Sequence, residues 1–254
     1  MLTNARENAV RAARCSMVAA LVILAGCRSA SDSTASANAS QSRPARPALM
    51  PARAGTQALA VDPERTVVTV IVRRAGPLAR LGHDHVITSA DEAGSVWLGS
   101  TPADSSFELT LPVERFDVDL PAARAAAGPE FVVPVPDDAR AGTRHNMLRP
   151  EVLDGGHFPA VTLRSSAASG AWPQPTVRVA VTLKGVERGQ EIPVVVERDA
   201  NGVIARGELR LNQTDFGMTP FSVAGGAIQV ADTLEIRFEI AASASGAISP
   251  PRVP

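Results

Sequence analysis

Cysteine is scarce in this chain of 254 residues, which has only two. Cys15 and Cys27 flank one short apolar stretch near the start, and no cysteine follows them. A disulfide framework and a cysteine-based metal site are therefore both excluded from the remaining residues.

Aromatic side chains are also few, with seven Phe, two Trp and no Tyr. The formal net charge of -1 hides an asymmetry. The first 56 residues carry seven Arg against two acidic residues, and the rest carries eighteen basic residues against twenty-four acidic ones, a net charge of -6. An acidic body with sparse aromatics argues against a nucleic-acid-binding surface.

No apolar run is long enough to cross a bilayer as a helix. Residues 17–25 form a short apolar stretch that follows three basic residues, Arg6, Arg11 and Arg14. This order is typical of an export signal, which is removed from the mature protein. The segment predicts that the protein leaves the cytoplasm.

The end of this segment, Leu24-Ala25-Gly26-Cys27, resembles the bacterial lipobox. That resemblance implies cleavage before Cys27 and acylation of its thiol, so residues 1–27 are predicted to be a lipoprotein signal peptide. More than one acyl chain on Cys27 would hold the protein stably on a membrane. A plain secretory signal with a chance cysteine, or an uncleaved anchor, are the alternatives.

Three further segments follow from composition. Residues 28–56 are rich in Ser, Ala and Pro and lack an apolar period, which predicts a disordered tether. Residues 57–243 contain the periodic apolar sequence and are predicted to fold. Residues 244–254 are predicted to be a disordered tail.

The folded segment contains about nine short stretches of strand-like sequence. Residues 67–72 are all β-branched, which favours an extended backbone. Elsewhere apolar and polar residues alternate, for example from Phe107 to Val113, which indicates strands with one buried face. Many antiparallel strands without an alternating strand-helix order favour an all-β fold, either a closed barrel or a sandwich.

One long connection, between Glu114 and His157, interrupts the strands. It contains a candidate helix with Asp119 as its N-cap and Gly128 just past its end. A second candidate helix starts at Asp137 or Asp138 and ends at Leu148. Both are short, and they are the only helices that the sequence predicts in this segment.

Enzyme signatures are absent from the sequence. There is no G-x-S-x-G nucleophile elbow and no H-E-x-x-H pair. Asp215-Phe216-Gly217 spells the metal-binding triplet of kinases without the accompanying loops, so we interpret it as coincidence. We expect neither an enzyme nor a catalytic residue.

The histidines offer one alternative chemistry. His83 and His85 lie two residues apart, so they share a face of an extended strand. With His145 and His157 they could form a metal or haem site of a redox protein. A hydrogen-bonded pair at the mouth of a barrel explains the same spacing, and we predict no metal and no cofactor.

The apolar strand positions are the remaining candidate site. A barrel of about eight strands is just wide enough either to fill with its own side chains or to enclose one small ligand. Composition leaves both outcomes open. If the interior is hollow, the candidate lipid-binding residues are those on the predicted inner face: Val70, Phe107, Leu109, Leu111, Val179, Val181, Leu183, Leu209, Ile236 and Phe238.

Several motifs, in this order, resemble the YceI-like, polyisoprenoid-binding family over roughly residues 57–242. They are Leu59-Ala60-Val61-Asp62-Pro63-Glu64, Gly82-His83-Asp84-His85, Arg144-His145-Asn146-Met147-Leu148, His157-Phe158-Pro159-Ala160-Val161, Val181-Thr182-Leu183-Lys184-Gly185-Val186, Thr214-Asp215-Phe216-Gly217-Met218 and Val230-Ala231-Asp232. The resemblance implies an extended antiparallel lipocalin-like β-barrel of about eight strands, with the short helices near one end.

The same resemblance implies a function. The barrel would hold an isoprenoid-type lipid, such as a polyprenyl or quinone tail, and would carry or buffer it without catalysis. With the lipobox, this predicts a periplasmic protein anchored by Cys27, more readily to the outer membrane than to the inner one. An envelope protein with a solid barrel that binds partners only on its surface is the other alternative, and the oligomeric state is left open.

Overall fold

The computed structural model describes residues 54–199 and 202–244. The predicted signal peptide, Cys27, nearly all of the predicted tether and all but the first residue of the predicted tail lie outside the described residues. None of the helices in the described ranges combines the length and apolar character needed to span a membrane.

The described residues form twelve strands, which make one continuous sheet, and two α-helices. The helices are α1 (Pro121–Ala127) and α2 (Asp137–Met147), and both lie between the sixth and seventh strands. The strands are β1 (Gln57–Val61), β2 (Val67–Ala75), β3 (His85–Thr88), β4 (Ala93–Leu98), β5 (Ser106–Pro112), β6 (Asp117–Val118), β7 (Ala160–Ser169), β8 (Thr176–Leu183), β9 (Val186–Arg198), β10 (Gly202–Asn212), β11 (Ser222–Val223) and β12 (Ile228–Ser243).

The sheet closes into an eight-stranded antiparallel barrel in which sequential strands are neighbours. Three of the barrel strands are broken into two parts: β1 continues into β2, β3 into β4, and β5 into β6. The pairings β1–β4 and β2–β3 join the first two, and β4–β5 and β3–β6 join the next. Strands β5, β7, β8, β9, β10 and β12 then pair in turn, and β12 returns to both β1 and β2. The predicted fold class is confirmed.

The β-branched strand β2 has apolar residues on both faces, and the structure explains why. Val68, Val70 and Val72 point into the barrel. Ile71 points outward and is fully buried, in a second apolar cluster with Val86, Ala127 and Phe131. Since Ala127 belongs to α1, the short helix covers the outer face of this strand.

The hairpin between β8 and β9 shows how local sequence fixes the register. Lys184 and Gly185 both have positive φ, 49° and 74°, and Leu183 pairs with Val186 across the two-residue turn. A Cβ atom at Gly185 would lie 2.7 Å from the ring of Phe158. Glycine is therefore needed both for the turn and for the packing of this aromatic ring.

The two helices occur where the sequence predicts them, but two local expectations are wrong. The N-cap of α1 is Leu120, because the Asp119 side chain hydrogen-bonds to other parts of the protein. Strand β5 ends at Pro112, since Val113 already belongs to a 3-10 turn. The count of about nine strands also overlooked two-residue strands such as β6 and β11.

Candidate lipid-binding cavity

The interior of the barrel is hollow. A cavity of about 320 Å³ lies at the end where α2 packs, and we call it the helix-end compartment. A second cavity of about 170 Å³, the far compartment, lies towards the other end. The two share a collar of lining residues at the middle of the barrel: Val68, Leu111, Leu163, Leu209 and Ile236. These two cavities contradict the solid-barrel alternative, and we call the two compartments with their shared collar the tunnel.

Every candidate lipid-binding residue lines this tunnel. The collar includes Leu111, Leu209 and Ile236. Three more line only the helix-end compartment, namely Val70, Val181 and Leu183. The last four line only the far compartment: Phe107, Leu109, Val179 and Phe238. Their contact with a lipid stays a prediction.

The tunnel is long as well as apolar. Strand β12 contributes lining residues from Ile228 to Ala242. With a rise of about 3.3 Å per residue and an ordinary barrel tilt, this stretch corresponds to roughly 35 Å along the barrel axis. One leaflet of a bilayer has a hydrocarbon depth of only about 15 Å. The apolar lining therefore extends over a length considerably greater than the hydrocarbon depth of one leaflet.

Polar side chains gather at one end of the tunnel. The lining of the helix-end compartment includes Arg74, His83 and His85 from the first hairpin and Thr143 and Asn146 from α2. Arg74 and His83 are exposed, so the compartment approaches solvent at this place. An amphiphile would accordingly place its polar head here and its apolar chain towards the far compartment.

A buried ion network stands behind His85. Its Nδ1 atom lies 2.6 Å from Oδ2 of Asp119, whose side chain is completely buried. The other carboxylate oxygen of Asp119 accepts hydrogen bonds from the backbone N–H of Val86, at 2.9 Å, and from Nη1 of Arg124, at 2.6 Å. On its open side, Nε2 of His85 lies 3.2 Å from the hydroxyl oxygen of Thr143.

Asp119 stays ionised in this setting. Burial alone would raise the pKa of its carboxyl, but the hydrogen bonds from His85, the Val86 N–H and Arg124 outweigh burial and lower the pKa below its usual value. The residue has a positive φ of 54°, which is uncommon for a residue other than glycine. The chain therefore takes an unusual backbone conformation where it directs this carboxylate at His85.

Arg124 is held from several directions at once. Its guanidinium donates to the carbonyl oxygens of Phe131, Asp84 and Val133 at 2.9, 2.9 and 3.0 Å, besides its bond to Asp119. It is buried although it lies in an Ala-rich helix. Neither Asp119 nor Arg124 is among the site residues predicted from the sequence, where Asp119 was interpreted as a helix cap.

A second buried carboxyl lies close to this end of the tunnel. Glu92 is 2% exposed, and its Oε1 is bonded to the hydroxyl of Ser89, which lines the helix-end compartment. Among the described residues, no group bonds to its Oε2 atom. Burial raises the pKa of Glu92, while the Ser89 hydrogen bond acts in the opposite direction.

The histidines do not assemble as the redox alternative requires. The rings of His83 and His85 are 6.2 Å apart, both along the helix-end compartment. His145 is exposed, and His157 is exposed and paired with Asp154 at 2.9 Å. The described residues include no group of three or more His, Cys, Asp or Glu side chains able to hold a metal ion.

The fold of the chain is similar to that of a solved structure. The crystal structure of BcnA from Burkholderia cenocepacia superposes with a TM-score of 0.54 at 18% identity, covering 72% of this chain and 99% of that chain. The crystal structure of the Campylobacter jejuni YceI protein gives a TM-score of 0.45 at 9% identity, covering 63% of this chain and 84% of that chain.

Comparison by sequence gives a more specific result. No curated protein matches the chain. The profile of the YceI-like domain matches residues 59–242, which is most of the chain and nearly all of the barrel. The chain therefore belongs to the YceI-like family.

Proposed function

We propose that the protein is a lipid-anchored carrier or buffer of an isoprenoid-type lipid on the periplasmic side of the cell envelope. The lipid tail occupies the tunnel of the barrel, and no covalent chemistry takes place. The observation that carries this proposal is the pair of apolar compartments inside the barrel, which share a collar of lining residues at its middle.

Two arguments favour an isoprenoid over an ordinary acyl chain. YceI-like proteins form a family that binds isoprenoid lipids. The tunnel is also roughly 35 Å long, about twice the hydrocarbon depth of one leaflet, so an ordinary acyl chain would leave part of it empty. Empty apolar space loses dispersion contacts, so a longer chain gains more from binding.

The proposed location follows from the sequence. The basic and apolar segment that ends at Cys27 is typical of an exported bacterial lipoprotein. Acylation of Cys27 would keep the barrel beside a membrane, and the residues between Cys27 and β1 would act as a tether of some tens of ångströms. A carrier of a water-insoluble lipid benefits from this position because donor and acceptor membranes are both near.

The first test is extraction of the purified protein with organic solvent, followed by mass spectrometry. We expect a long-chain isoprenoid at close to one equivalent. Lipid-free protein that also fails to take up prenylated quinone analogues would contradict the proposal.

A tunnel-blocking variant makes the test specific. Ala205 lines the far compartment, so Ala205→Trp places a large ring there and shortens the tunnel. We expect at least a tenfold loss of affinity for long prenyl chains and little change for chains that end at the collar, since each excluded methylene forfeits about 0.8 kcal/mol of burial. Ala180→Trp is the matched control, because Ala180 lies between the inward residues Val179 and Val181 and therefore points outward. Equal loss for long and short chains, or equal loss in both variants, would contradict a chain-filled tunnel.

A further inference from the structure

The helix-end compartment contains a chain of hydrogen bonds whose direction is fixed. It starts at Asp119, an ionised carboxylate that can only accept. Because Oδ2 of Asp119 lies 2.6 Å from Nδ1 of His85, the proton between them belongs to the imidazole. Nδ1 of His85 is therefore the donor, and the ring presents Nε2 to the cavity.

The charges around His85 already balance without a second proton on its ring. The charge of Asp119 is already balanced by Arg124, at 2.6 Å, so a second positive charge on His85 would be uncompensated beside an apolar cavity. Asp84, the nearest other carboxylate along the chain, pairs with Arg73 and Arg74. In a neutral ring with a protonated Nδ1, Nε2 carries a lone pair and accepts a hydrogen bond.

Thr143 lies between His85 and the cavity, so the direction of its hydroxyl determines which hydrogen-bonding group faces a ligand. Its hydroxyl lies 3.2 Å from Nε2 of His85, and with the ring in the neutral form described above it donates its only proton there. The hydroxyl oxygen keeps its lone pairs, and Thr143 lines the helix-end compartment. The group offered to a ligand at this point is therefore an acceptor that cannot turn into a donor while His85 keeps its tautomer.

We propose that the helix-end compartment selects amphiphiles whose polar head carries a hydrogen-bond donor, such as the hydroxyl of a phenol, a hydroquinone or a prenyl alcohol. The head donates to Thr143, and His85 acts as a positioning residue that fixes the direction of the Thr143 hydroxyl. A head with only carbonyl or ether oxygens at this point leaves the acceptor unpaired. For a prenylated quinone the site therefore favours the reduced form. This inference rests on the proposed function for the binding of the tail.

Two other polar side chains at this end, those of Arg74 and Asn146, do not supply the same selection. Arg74 is committed to the carbonyl of Gly82, at 2.8 Å, and to Asp84. The amide of Asn146 can donate or accept and so adapts to either kind of head. An acceptor that the bound head covers and leaves unpaired costs about 1–3 kcal/mol, so we expect a preference of about tenfold or more for the donor head.

The experiment compares two ligands with the same tail, a prenylated phenol and its methyl ether, by titration calorimetry at mildly alkaline pH. The wild-type protein should bind the phenol about tenfold more tightly. Thr143→Val removes the hydroxyl at nearly constant volume, so it should abolish this preference: the phenol loses its acceptor, and the ether no longer leaves an acceptor unpaired. Thr143→Ser should retain the preference.

Each outcome bears on a different statement. Equal affinities of the wild type for phenol and ether, or tighter binding of the ether, would overturn the selection for a donor head but leave the carrier function in place. A preference that persists in Thr143→Val would overturn the role of Thr143 and His85. Failure of both ligands to bind the wild type would overturn the proposed function together with the inference. The wild-type comparison decides the matter even if a variant does not fold.

Discussion

Replacing Asp119 by Asn tests the buried ion network in one step. The side chains of Asp119 and Arg124 are 0% and 8% exposed, so solvent screens their interaction very little. The substitution keeps the size of the side chain but removes its charge, which leaves Arg124 as an uncompensated buried cation. Removing one partner of such a pair typically costs about 3–5 kcal/mol, a large part of the 5–15 kcal/mol that stabilises an ordinary domain.

The same substitution also acts on the ligand site. An amide can offer its N–H₂ group to Nδ1 of His85, which then becomes an acceptor and moves its proton to Nε2. Nε2 would donate to the oxygen of Thr143, and the Thr143 hydroxyl would be free to donate into the cavity. Asp119→Asn is therefore expected to reverse the head-group preference, from a donor head to an acceptor head.

Two measurements separate these effects. Urea unfolding followed by circular dichroism should give a loss of about 3–5 kcal/mol at neutral pH. This loss should shrink in acid, because the pKa of Asp119 is lower in the folded than in the unfolded state and its stabilising contribution disappears as pH falls through the folded value. Calorimetry on the folded fraction then compares the phenol with the ether. A loss below about 1 kcal/mol, or an unchanged loss in acid, would refute the energetic reasoning, and an unchanged ligand preference would refute the tautomer argument.

Two further predictions concern single carboxyl and thiol groups. Glu92→Gln should make the protein more stable at neutral pH, because burial raises the pKa of Glu92 in the folded state. As pH rises from the ordinary Glu range through the folded pKa, the free energy of unfolding of the wild type falls. The loss is about 1.4 kcal/mol for each pKa unit of the shift. Denaturant titrations across that range should show a sloping wild type and a flatter variant, and parallel curves would contradict the assignment. Cys27→Ser should leave the barrel folded but release the protein from the membrane fraction of cells, and retention there would contradict acylation at this residue.

The fold was readable from the sequence where local chemistry and tertiary packing agree. Alternation along strands such as β8, with Val179 and Val181 inside and Arg178 exposed, needs only the two-residue period of a half-buried strand. The helix boundaries at Pro121 and Gly128 follow from backbone chemistry in the same way. Local sequence does not show that β1 and β2 belong to one barrel strand, because this depends on how the closing strand β12 pairs with both.

The apolar half of the site was also predictable, since lining a tunnel asks only that a strand residue be apolar and point inward. Hollowness was not, because a filled and an empty barrel have the same strand pattern, and the difference lies in the sum of side-chain volumes around the collar.

The sequence did not predict the buried ion network behind His85. Asp119 and His85 are 34 residues apart, and the contact between them depends on a positive φ at Asp119 that no residue type requires. A carboxylate before a helical proline is normally explained as a cap, and here that explanation competes with burial against Arg124. The Asp119 carboxylate does not cap the helix, and it instead holds the proton of the His85 ring on Nδ1. In our proposal, a barrel with a generic tail tunnel thus gains its chemical discrimination at a position where the local sequence rule is broken.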